Sequence, residues 1–126
     1  MPVVITEKLI ENVENGEGFD PNLDSDVLNA MGFTLGRDGR WHIAGMTIWQ
    51  TSRHVTKSLD LVIELVQWRL PGWEWQATGK YDGRTICRAS MRADDQNSKC
   101  FKGLATSPAR ALLGAFLRAL RESELH

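Results

Sequence analysis

Residues 58–91, SLDLVIELVQWRLPGWEWQATGKYDGRTICRASM, decide the fold. Ser58 is a helix N-cap, and Asp60 places a carboxylate in the first turn, where the helix dipole favours an anion. Leu59, Leu61, Val62, Ile63, Leu65, Val66, Trp68 and Leu70 follow, with Asp60, Glu64 and Gln67 as a narrow polar stripe. A helix with so narrow a polar stripe wants burial over most of its surface. Pro71-Gly72 ends it, and the period then changes to two: Trp73, Trp75 and Ala77 on one parity, Glu74, Gln76 and Thr78 on the other.

That alternation sets a register problem. A two-residue turn at Asp82-Gly83 puts Trp73, Trp75 and Ala77 opposite Arg92, Ser90 and Arg88. A three-residue loop, Tyr81-Asp82-Gly83, puts them opposite Met91, Ala89 and Cys87. A one-residue slip flips every side chain, so only the second register makes an apolar face. Its outer face carries Glu74, Gln76 and Thr78 against Ser90, Arg88 and Ile86, with Glu74 diagonal to a strand arginine. The spacing therefore predicts a central hairpin over 73–79/84–92, with the tryptophan pair inward.

Working outward, Thr6 caps a short helix with Leu9, Ile10 and Val13 on its apolar face, and Asn15-Gly16 stops it. Asp20-Pro21 opens a second, with a cap followed by proline at the first helical position. Leu23, Val27, Leu28 and Met31 line that helix, and Gly32 suits the left-handed C′ position. Around Arg37-Asp38-Gly39 the residues turn β-branched and aromatic. A three-residue loop with Gly39 left-handed sets Leu35 against Trp41 and Phe33 against Ile43. Residues 44–49 fit either a strand or an irregular run, and 51–57 read as a polar loop. Lys99 to Leu104 suits one more strand. Ser107-Pro108 opens a last helix with Leu112, Leu113, Phe116, Leu117 and Leu120 inward and Arg110, Arg118 and Arg121 outward.

The class that follows is α+β: a small antiparallel sheet packed with about four helices in a layered sandwich. A chain of 126 residues, 42% apolar and 25% charged, is long enough for one core and reads as one domain over 1–126. It divides into an acidic helical segment, 1–32, and an α/β body, 33–126. Up to Gly36 there are seven acidic residues against Lys8 alone; the remainder carries nine acidic and fourteen basic residues. Two readings stay open: acidic helices folded over a basic body, or two surfaces of opposite sign with one serving a partner. There is no eighteen-residue apolar run and no signal-peptide pattern. Cys87 and Cys100 are too few for a disulfide framework, so a reduced, cytoplasmic protein without membrane association is expected.

Chemistry is thinly advertised. His42, His54, Cys87 and Cys100 stand at no metal-ligand spacing, and no phosphate-binding loop, dinucleotide fingerprint or nucleophile elbow occurs. His54, near Ser52 and Thr56, reads as a solvated loop histidine. No catalytic residue, metal or cofactor is expected. A basic patch is clearer: Lys80, Arg84, Arg88 and Arg92 on or near the hairpin, with Lys99 and Lys102 after it. Cations beside an aromatic can hold phosphate or single-stranded nucleic acid, but a pI near 6.3 argues against that use. Five tryptophans are many for this size, and surplus apolar surface at Trp49, Trp68 or Ile86 suits a protein partner or a homodimer. The candidate binding surface is thus Arg84, Arg88, Arg92, Lys80, Trp49 and Trp68.

Three segments resemble a group of small phage and prophage proteins described as a phage α-β-α sandwich domain. They are Leu9 to Gly32, Ser58-Leu59-Asp60 through Leu70-Pro71-Gly72-Trp73-Glu74-Trp75, and Ala105-Thr106-Ser107-Pro108-Ala109-Arg110-Ala111-Leu112. These motifs describe folding and carry no chemistry. The resemblance implies an accessory protein of phage or prophage origin in the cytoplasm of a bacterial host. The expected function is non-enzymatic binding of a host or phage protein, with antagonism of a host defence system as one form. The alternative is a nucleic-acid or nucleotide-binding protein using the basic outer face of the hairpin.

Overall fold

In the computed structural model the last helix, α4 (Pro108–Glu124), sits at the centre of the core, packed against two other helices and three strands. The structure describes residues 5–16, 20–43, 46–49, 54–78, 86–93 and 99–124. From 109 to 120 every residue of α4 is buried except Arg118, which is half-buried. A helix buried all round must meet neighbours on every side. Its leucines and Phe116 fill the core, and its small residues let backbones approach. An added Cβ on Gly103 would stand 2.0 Å from the Ala111 carbonyl oxygen and 2.8 Å from the Ala115 nitrogen, so strand and helix meet there without side chains between them.

The described residues form ten elements: α1 (Glu7–Asn15), α2 (Pro21–Ala30), β1 (Thr34–Leu35), β2 (Arg40–Ile43), β3 (Met46–Trp49), α3 (Leu59–Arg69), β4 (Glu74–Thr78), β5 (Cys87–Arg92), β6 (Phe101–Ala105) and α4. The four helices and antiparallel strands are the expected α+β class, but the strands form two sheets, β1-β2-β3 and β4-β5-β6. No helix among the described residues is long and apolar enough to cross a membrane.

The helix starts follow from their caps. Thr6 Oγ1 accepts from Leu9 N at 3.1 Å, Asp20 Oδ1 from Asn22 N and Leu23 N, and Ser58 Oγ from Leu61 N at 3.2 Å. Gly32, at φ 102°, closes α2 in a Schellman pattern, with Gly32 N donating to Asn29 O and Phe33 N to Leu28 O. The first hairpin also turns as its sequence predicts. Gly39 has φ 77°, Leu35 pairs with Trp41, and residues 46–49 form a strand.

The second hairpin differs from the expectation in register. Trp75 lies opposite Met91 and Ala77 opposite Ala89, two residues from the predicted pairing, and Glu74 faces Arg92 directly instead of diagonally. The predicted loop, Tyr81-Asp82-Gly83, lies outside the described residues. A two-residue slip leaves each side chain on its face, so the apolar set is the predicted one. Cys87, Ala89 and Met91 are buried, whereas Trp73 and Trp75 are only half-buried, because β4 is an edge strand that α4 barely reaches.

Two further corrections concern polar segments. The loop before α3 is anchored: Val55 and Thr56 are buried, the buried Asp24 accepts from Thr56 N at 2.8 Å, and Thr56 Oγ1 accepts from Asp20 N. Arg110, placed outward from its helical position, is 1% exposed. Its Nη1 donates to Val13 O at 2.9 Å and Asn12 O at 3.3 Å, satisfying carbonyls at the end of α1. Gly16 is the residue that admits it, since a Cβ there would lie 2.6 Å from Nη1.

Candidate binding surface

The inner face of the second sheet packs on α4. Its outer face holds Glu74, Gln76 and Thr78 of β4, Arg88, Ser90 and Arg92 of β5, and Lys102 and Leu104 of β6. All are exposed except the half-buried Ser90. Strand alternation puts them there, since inward neighbours Ala77, Ala89, Met91, Phe101 and Gly103 occupy the other parity. Across the strands they form rows: Thr78, Arg88 and Leu104; then Gln76, Ser90 and Lys102. Leu104 is 52% exposed, and Ile86, just before β5, is 42% exposed.

The charges on this face are partly matched within it. Arg92 Nε donates to Glu74 Oε2 at 2.8 Å, with both side chains more than half exposed, so water screens the pair and it adds little stability. Nearby, the Lys99 ammonium lies 5.5 Å from the centre of the Phe101 ring. Arg88 sits between Thr78 and Leu104, with the Thr78 hydroxyl donating to the Arg88 carbonyl at 3.2 Å. The face therefore mixes two exposed aliphatic side chains, three cations, a carboxylate, an amide and hydroxyls. No aromatic side chain stands among its described strand positions.

Of the sequence-predicted surface, Arg88 and Arg92 are brought together on β5. Lys80 and Arg84 lie outside the described residues. Trp49 belongs to β3, in the other sheet, and its side chain is outside the described part. Trp68 does not join this face: it packs against Phe33, ring centroids 5.7 Å apart, on the core side. Leu104 was the member missed. The alternation of Phe101, Gly103 and Ala105 against Lys102 and Leu104 is the signal that places it outward.

A second cationic region is already spent within the molecule. A groove of about 590 Å³ beside β6 is lined by Lys102, Arg118, Arg121 and Glu14 among others. Arg118 grips Glu14 at 2.5 and 2.7 Å, and Arg121 pairs with Glu7 at 2.9 Å. The Glu14 carboxylate is the main reason the Arg118 guanidinium holds its proton more tightly than usual. These contacts favour the first reading of the charge asymmetry, with the acidic α1 laid over basic α4.

On the first sheet, Asp38 and His42 form a pair, His42 Nε2 lying 3.1 and 3.0 Å from the two carboxylate oxygens, and Thr47 Oγ1 lies 3.5 Å from His42 Nδ1. The hydrogen bond to His42 is the chief cause of Asp38 titrating below its ordinary value. The order acid, imidazole, hydroxyl is that of a nucleophile relay, but the pair is 41% and 48% exposed and the hydroxyl is at the limit of bonding. It staples the hairpin. Among the described residues no group of three or more His, Cys, Asp or Glu is arranged to hold a metal ion. Comparison of the chain with family models, curated proteins and solved structures finds no match.

Proposed function

We propose that the protein is a non-enzymatic binding protein and that the outer face of β4-β5-β6 is where it engages a protein partner. The observation that carries this reading is Leu104: a 52% exposed leucine within a regular strand, directly beside Arg88 on the outer sheet face. Aliphatic and arginine side chains side by side, with amides and hydroxyls around them, are the chemistry of a protein interface. Single-stranded nucleic acid asks instead for aromatic stacking platforms along a cationic track. This face offers cations, one of them held by Glu74, and no ring at its described strand positions. The resemblance of three segments to phage proteins supplies the setting: an accessory protein of phage origin in the bacterial cytoplasm, whose partner is a host or phage protein. Antagonism of a host defence system is the specific form this would take.

Site-specific photo-cross-linking tests it. A photoreactive residue at position 104 or 88 should trap one protein in host cells, while the same residue at Asp26, exposed on α2, should not. Equal trapping from all three positions, or trapping of nucleic acid at 88, would refute the assignment.

A further inference from the structure

The two edges of the second sheet are treated differently. On the β6 edge, Leu104 N donates to Glu14 Oε2 at 3.0 Å and Lys102 O accepts from Arg118 Nη1 at 2.6 Å. Those are the two groups a neighbouring parallel strand would engage, so the Glu14–Arg118 pair stands in for a strand and closes this edge.

The same bonds fix the orientation of β4. Residues 102 and 104 turn their main-chain groups away from β5, so 101, 103 and 105 turn theirs toward it. Following the pairings Ala89 with Gly103 and Arg88 with Leu104, the even residues of β5 turn toward β4. Thr78, Gln76 and Glu74 therefore bond to β5, and the N–H and C=O groups of Trp75 and Ala77 point out of the sheet. Among the described residues nothing pairs with those four groups. Nor does 74–78, Glu-Trp-Gln-Ala-Thr, contain the proline or lysine that guards an edge, and its only charge is already held by Arg92.

We propose that β4 pairs antiparallel with β4 of a second copy about a two-fold axis at Gln76, joining two three-stranded sheets into one of six strands. Self-complementarity selects this occupant. About Gln76, Trp75 of each copy exchanges two hydrogen bonds with Ala77 of the other, setting a large side chain beside a small one on the inner face. On the outer face Glu74 falls opposite Thr78, next to Arg88 of the second copy, and the two Gln76 amides meet at the axis. No like charges face each other, and the half-buried Trp75 gains cover. The interface is isologous, as a closed dimer requires. It leaves Leu104, on the far strand β6, uncovered.

The test is solution mass by light scattering and sedimentation from about 1 to about 300 μM, a span covering micromolar homodimer constants. The wild type should be dimeric within it. Gln76→Lys and Gln76→Glu, both on an exposed position, should keep the circular-dichroism spectrum and weaken self-association at least about tenfold through like charges at the axis. An equimolar mixture of the two should restore the dimer. A wild type that stays monomeric, including one that captures an extended peptide at this edge, would overturn the proposal. So would a dimer indifferent to both charges, or one the mixture fails to restore.

Discussion

Gly103→Ala puts a single methyl group where β6 and α4 touch, and the structure sets the size of its effect. The new Cβ would stand 2.0 Å from Ala111 O, whereas ordinary contact begins at 3.4 Å, so strand and helix must part by about 1.4 Å. The obstacle is helix backbone, which has no rotamer to turn aside. A radial gap of about 0.5–1 Å already forfeits a quarter to a half of the contact energy along a packed face. On this face stand Ala111 and Ala115 against Gly103, with Ala89 beside it, at the centre of the core. We expect a loss of about 3–5 kcal/mol, comparable to a large-to-small core truncation, from a total of about 5–15 kcal/mol. For a domain of this size that lowers Tm by about 10–20 °C. Urea unfolding followed by circular dichroism reads it directly, with Lys102→Ala, exposed on the same strand, as a near-neutral reference. A loss below about 1 kcal/mol would refute the claim that α4 lies backbone-to-backbone on β6.

Other perturbations probe other joints. Arg110→Met keeps most of the buried volume but leaves the Val13 and Asn12 carbonyls without their guanidinium; chemical denaturation should show a loss of about 2–4 kcal/mol, with hydrogen exchange in α1 accelerating most. Asp38 titrates below its ordinary value of 3.8, so its stabilising pair with His42 is present above that value and lost as pH falls through the lowered one. The thermal-stability gap between wild type and Asp38→Asn should therefore be open at mildly acidic pH and close in strong acid. A gap that widened on acidification would reverse the sign.

The local signals in the chain were legible because their physics is local. Thr6, Asp20-Pro21 and Ser58 announce helix starts through hydrogen bonds to amides two or three residues away, and Arg37-Asp38-Gly39 announces its turn through a left-handed glycine. Alternation gave the parity of the second hairpin, and with it the outward position of Arg88 and Arg92. The pairing itself was two residues off, since a slip of two leaves every face unchanged and so carries no penalty that a pattern can display. Arg110 was misplaced for a different reason: its partners are carbonyls almost a hundred residues away, at the end of α1. The centrality of α4 was missed because alanine and glycine carry weak apolar signals, although Ala111, Gly114 and Ala115 are what let β6 and α1 come close. Trp68, conspicuous in sequence, packs against Phe33, while Leu104, inconspicuous there, stands exposed.

On the function proposed above, the outer face of β4-β5-β6 binds a protein through Leu104 and Arg88. The most direct test is the equilibrium affinity of the cross-linked partner for wild type and for Leu104→Asp, each at low and high salt. Leu104→Asp should lose about 2 kcal/mol or more, the scale of an interface hot spot, and wild-type affinity should depend only weakly on salt. Unchanged affinity, or wild-type binding that collapses as salt rises in the manner of phosphate contacts, would contradict it.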